Sequence, residues 1–153
     1  MPLPFMPAPW LARSACALLA ALLAGPALAS LDGNLASVQD DQQAWSAATS
    51  QSIQGSATVV LQTLPNGLNV RQYLDAGGHV FAVSWQGPVL PELARLLGPH
   101  FAAYGDAQRQ QRRGVNLQSP ALVLESGGMM RAFSGRAFLP PKLPAGWTAQ
   151  DIR

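Results

Sequence analysis

The chain has 153 residues, 48% of them hydrophobic and only 12% charged, with a net charge of +2 at pH 7. That composition is too apolar for a disordered tail and too evenly balanced for general nucleic-acid or anionic-membrane binding. The length allows one domain plus a targeting segment.

The first thirty residues hold much of the apolar excess and read as a secretory signal. Arg13 supplies a positive start, Ser14 to Leu23 a short apolar core, and Ala27-Leu28-Ala29 an A-x-A cleavage box. Residues 1–29 are therefore expected to be removed, with Ser30 opening the mature chain. Pro26 and the short core argue against a membrane-spanning anchor. Cys16, the sole cysteine, sits at the start of the apolar core rather than after it, which argues against a lipid anchor. The mature chain then has no disulfide and no stable membrane anchor. A small exported domain without disulfides fits a bacterial envelope. Loss of Arg13 leaves nine basic residues against eight acidic ones.

Residues 30–56 read as a polar arm and linker. Within them 37–45 could be a short helix, with Ser37 as N-cap and Asp40 and Asp41 at the positive end of its dipole. Leu35, Val38, Gln42 and Trp45 form a weak stripe, and 47–55 reads as linker. The main domain is expected over 57–153. Its first strand runs from Ala57 to Leu64, Pro65-Asn66-Gly67 turns, and Leu68 to Leu74 returns. Asp75-Ala76-Gly77-Gly78 turns again into a third strand, His79 to Trp85. Phe81, Val83 and Trp85 are expected on one side of it, and Val80, Ala82 and Ser84 on the other. Gln86-Gly87-Pro88 stops the strand, and Pro91 suits the first turn of a helix carrying Leu93, Leu96 and Leu97. Gly98-Pro99 breaks that helix. A second helical piece, 100–112, continues the stripe through Phe101 and Tyr104. After a loop over 114–120, strands are expected at 121–126 and 129–139 with Gly127-Gly128 as the hairpin tip. Gly135 signals a bulge or a close approach. Thr148 caps a final turn, with Trp147 packing the tail down. The order β-β-β-α-β-β predicts an α+β fold: one antiparallel sheet of about five strands with helix on one face. The predicted core is Phe81, Val83 and Trp85 against Leu93, Leu96 and Phe101.

Several of these pieces together resemble the DUF2844 family of small exported bacterial proteins of unknown function. They are the leader, Ser37-Val38-x-x-Asp41, Val70-Arg71-x-Tyr73, and above all Val80-Phe81-Ala82-Val83-Ser84-Trp85-Gln86-Gly87-Pro88. Pro91, Leu93, Leu96-Leu97-Gly98, Phe101 and Tyr104 follow. The later part adds Glu125-Ser126-Gly127-Gly128, Met130-Arg131-Ala132-Phe133, Gly135-Arg136, Pro140 and Leu143-Pro144-Ala145-Gly146. The resemblance implies export and a single domain, and it implies no activity.

Chemistry-bearing clusters are sparse. Two histidines, His79 and His100, without further ligands in sequence do not make a metal site, and no cofactor is implied. No serine lies in a G-x-S-x-G elbow. Ser84 and His79 are expected on opposite sides of one strand. Glu125 and Arg131 are expected as diagonal neighbours, a modest surface pair. Arg109, Arg112 and Arg113 form the one basic cluster, a candidate for binding an anion or an acidic partner. A solvated helix end is the simpler reading. The sequence favours a non-catalytic, exported envelope module, periplasmic or secreted, that binds an envelope protein partner, through a free sheet edge at Thr58 or at 129–139. A small secreted hydrolase and a self-associating envelope component are the alternatives.

Overall fold

Asn66-Gly67 and Gly77-Gly78 each end in a glycine with positive φ (Gly67 85°, Gly78 78°), the conformation that tight hairpins demand. They fold the middle of the chain into consecutive antiparallel strands. In the computed structural model, which describes residues 31–111 and 113–153, the elements are α1 (Leu35–Trp45), β1 (Ala48–Gln54), β2 (Ala57–Thr63), β3 (Asn69–Leu74) and β4 (Val80–Gly87). They continue as α2 (Leu93–Leu97), α3 (Phe101–Gln110), β5 (Val115–Gln118), β6 (Val123–Met129) and β7 (Ala132–Phe138). The predicted leader, its cleavage point, Cys16 and Arg112 lie outside the described residues.

All seven strands form one antiparallel sheet in the order β1-β2-β3-β4-β7-β6-β5. The α+β class with a single sheet holds, but the strands number seven rather than about five. The two extra strands are the edges. The segment expected as linker is β1, and the loop expected after Gly114 contains β5. The free edges expected at Thr58 and at 129–139 are interior, because β2 pairs with both β1 and β3, and β7 with both β4 and β6.

Residues opposite one another on antiparallel strands share a face. One face carries Val60, Val70, Leu74, Val83, Trp85, Leu124 and Ala137 and is covered by the helices, through Val38, Leu93, Leu96, Leu97 and Tyr104. The other carries Val59, Tyr73, Ala82 and Phe138, and is covered by the C-terminal segment through Trp147 and Ile152. The N-terminal arm belongs to this fold rather than hanging from it. Leu31 is fully buried, its N–H donates to Leu96 O at 3.0 Å, and α1 buries Ser37, Val38 and Asp41. Asn34, not Ser37, is the N-cap; Ser37 closes the reciprocal box from the third helical position.

Three expectations about the core change. First, a bulge at Tyr73/Leu74 lets Tyr73 face Ala82 and Leu74 face Val80, so Phe81 is the extra residue. Phe81 therefore leaves Val83 and Trp85 and joins Tyr73 and Trp147, with ring centroids at 6.3 and 5.4 Å. Val80, Val83 and Trp85 share the helix face instead. Phe81, Val83, Trp85, Leu93 and Leu96 are all buried, in two cores rather than one. Secondly, Phe101 is 39% exposed and stacks on Tyr104. The 3₁₀ turn Gly98–His100 resets the helical phase after α2, so the apolar stripe is not continued in register. Thirdly, the β6–β7 tip is Met130-Arg131, both at positive φ (53° and 67°), not Gly127-Gly128. Glu125 then lies opposite Arg136 instead of diagonal to Arg131. Gly135 marks a close approach: a Cβ there would stand 2.3 Å from the Trp85 ring and 2.6 Å from Glu125 O.

Candidate functional site

The C-terminal segment covers only part of its face. Two cross-strand rows lie beyond the apolar one. Ser84, Arg136, Glu125 and Asn116 are opposite one another, and so are Gln86, Ser134 and Gly127. Apart from buried Ser84, these small and polar residues, with Ile152 and Arg153 of the tail, line an open groove of about 520 Å³. Its floor is wide because Gly127, Gly135 and Ser134 contribute little side-chain volume. Arg136 donates through Nε and Nη2 to Glu125 Oε2, both at 2.8 Å, and Glu125 Oε1 accepts from Gln118 Nε2 at 3.1 Å. The pair is about a third exposed and sits on the groove wall.

The tail itself is held by its main chain. Arg136 Nη1 donates to the carbonyls of Ala149 and Ile152. The Tyr73 hydroxyl donates to Arg153 O at 2.8 Å and accepts from Arg153 N–H at 3.0 Å. Arg71 Nη1 donates to the same carbonyl at 3.1 Å. Thr148 caps the last turn, and its hydroxyl and amide hold the Asp151 carboxyl below the usual range. A second cavity of about 420 Å³, lined by Arg71, Tyr73, Asp151 and Arg153 among others, lies on the other side of the tail.

Beneath the opposite face is a buried charge. Asp41 is fully buried, with Arg95 Nε at 2.6 Å from Oδ1 and Gln72 Nε2 at 3.1 Å from Oδ2. Burial pushes the Asp41 carboxyl up to about 6, against the downward pull of Arg95 and Gln72. These contacts tie α1, α2 and β3 together, and Gln62 adds a hydrogen bond to Val38 O at 2.8 Å. An aspartate near a helix start ordinarily reads as a dipole partner facing water. The one hint in the sequence is its spacing, three residues after Val38 and four before Trp45.

Two of the three residues of the basic cluster are described, and both are on the surface. Arg109 pairs with Asp106 one turn earlier on the exposed surface of α3, and Arg113 is exposed in the bend leading to β5. Arg112 lies outside the described residues. His79 Nδ1 stands 3.7 Å from Asp75 in an exposed hairpin turn, where Asp75 Oδ1 accepts the N–H groups of Gly77 and His79. That carboxylate shapes a turn. The Ser84 hydroxyl lies 3.4 Å from the Tyr73 hydroxyl. Among the described residues no group of three or more His, Cys, Asp or Glu is placed to hold a metal. Nor, among them, is any helix long and apolar enough to cross a membrane.

No curated protein and no solved structure matches the chain. A family model described as a protein of unknown function, DUF2844, matches residues 27–152. That span takes in every strand and helix described above, so the chain belongs to the DUF2844 family.

Proposed function

We propose that this is an exported, non-catalytic binding module of the bacterial envelope, and that the polar groove on the tail-covered face is where it binds. The observation that carries the reading is the uncovered half of that face. A sheet face that is only structural would be closed over or evenly solvated. Here an open groove carries an arginine–glutamate pair, amides and a serine hydroxyl over a floor of small residues. Such a surface offers donors and acceptors to a polar ligand or an extended chain, without a nucleophile and base placed for catalysis. The leader motif supports export, since its A-x-A box ends two positions before Leu31, the first buried core residue among those described.

Ser134 is exposed in the groove, so Ser134→Trp fills it without touching either core. Tagged protein recovered from envelope extracts is expected to retain its partner as wild type and in the triple variant Arg109→Ser, Arg112→Ser, Arg113→Ser. It is expected to lose that partner in Ser134→Trp. Retention in Ser134→Trp with loss in the arginine variant would move the binding surface to the end of α3.

A further inference from the structure

The two edges of the sheet differ in how they are protected. An edge strand presents a row of unpaired N–H and C=O groups, and proteins normally blunt it with short length, charge, proline or a covering group. The β5 edge is blunted. It is four residues long, and the Gln111 side chain takes both outward groups of Asn116, accepting its N–H at 2.7 Å and donating to its carbonyl at 2.9 Å. Among the described residues the β1 edge carries none of these devices. It runs seven residues in unbroken register with β2, six of them exposed, without proline, glycine or charge. Positions 42–70 contain no Asp, Glu, Lys or Arg at all, so no neighbour in sequence supplies a charge either. Ile53 is 83% exposed on this edge.

We propose that β1 is an assembly edge, and that its partner is β1 of a second copy of this chain, antiparallel about Gln51. The sequence Ala48-Thr49-Ser50-Gln51-Ser52-Ile53-Gln54 is nearly self-complementary about that residue. Pairing Gln51 with Gln51 sets Ser50 against Ser52 and the β-branched Thr49 against Ile53. Cross-strand pairs of that kind stabilise a ladder, and like charges would oppose it. Thr49, Gln51 and Ile53 stand opposite Gln62, Val60 and Thr58 and so share the helix-covered face. The twofold therefore keeps both helical layers on one side and runs the two sheets into one. Exposed Ile53 gains the methyl group of a Thr49 as neighbour at each of the two symmetric positions. This inference does not depend on the groove.

Sedimentation velocity of the purified protein over a dilution series is the test. Wild type is expected to show a reversible monomer–dimer equilibrium. Gln51→Lys places two ammonium groups on the twofold and is expected to raise the dimer dissociation constant about tenfold or more, with an unchanged melting temperature at dilutions where both proteins are monomeric, because the site is exposed. In a Cys16→Ser background, Gln51→Cys is expected to cross-link two chains under oxidation. Ala48→Cys is not, because its twin would lie about 20 Å away along the paired strands. A wild type that is monomeric throughout, a Gln51→Lys dimer as tight as wild type, or equal cross-linking by both cysteine variants would overturn the proposal.

Discussion

Asp41 shows how much one side chain can be asked to do. Its carboxylate is out of water, and Arg95 and Gln72 face it. The folded carboxyl keeps its proton up to about pH 6, whereas in the unfolded chain it loses it near 3.8. Between those values the folded state binds more protons. Stability from this site is therefore fully present below about pH 4 and falls as pH rises through 6. The rise from 3.8 to about 6 corresponds to about 3 kcal/mol. Asp41→Asn is expected to remove that slope: urea unfolding at pH 4.5 and pH 7 should give closer values for the variant than for wild type. A wild-type slope that survives in Asp41→Asn would assign the titration to another group.

The β6–β7 hairpin carries the clearest local strain. Its two-residue turn has positive φ at both Met130 and Arg131, a conformation that costs ordinary side chains about 1–2 kcal/mol per residue. Asn and Gly adopt it readily. The double change Met130→Asn and Arg131→Gly is expected to raise stability by about 1–2 kcal/mol, measured as a higher denaturation midpoint at unchanged slope. A loss of stability would mean that contacts of Met130 or Arg131 outweigh the turn. This tip was not readable from the sequence, because Gly127-Gly128 is stronger turn chemistry than Met-Arg. Gly128 is needed for space instead. A Cβ there would come within 2.2 Å of Ala132 O, so its place next to the tip tolerates no side chain. The edges escaped notice for a related reason. Sequence alternation records the burial of one face, and β1 buries neither, so Ala-Thr-Ser-Gln-Ser-Ile-Gln has no pattern to show. In β5 the alternation exists, yet it lasts only four residues.

At the scale of the whole molecule, the three-stranded meander, the helices after Pro91 and the final hairpin were legible, because each has a buried face and a turn signal. The groove was not, because it is built from residues 85–86, 115–116, 125–127, 134–136 and 152–153, joined by a strand order that sequence spacing does not reveal. The limits of the domain were also hidden. A boundary at Ala57 follows from composition, but Leu31, Val38 and Asp41 lie inside the helix-covered core and β1 lies on the sheet. A fragment of residues 57–153 would expose that core and leave Arg95 without its carboxylate. It is expected to lose cooperative unfolding and to bind a hydrophobic dye, whereas residues 31–153 keep a sharp transition. A cooperative fragment would restore the arm to the status of an appendage.

The main-chain clamp on the tail bears on the order in which the molecule can be completed. Tyr73 waits for a partner 80 residues further along the chain, and Phe81 stays bare on one side until Trp147 arrives. The central strand β4 likewise meets β7 only after about fifty more residues have been made. Chain emerging from the ribosome can close the β1–β4 half, but it then shows an apolar face with nothing to lie on it. Such a protein cannot finish folding piecemeal during synthesis. It keeps a sticky, incomplete fold until nearly all of it is present, a property that would suit the export proposed above.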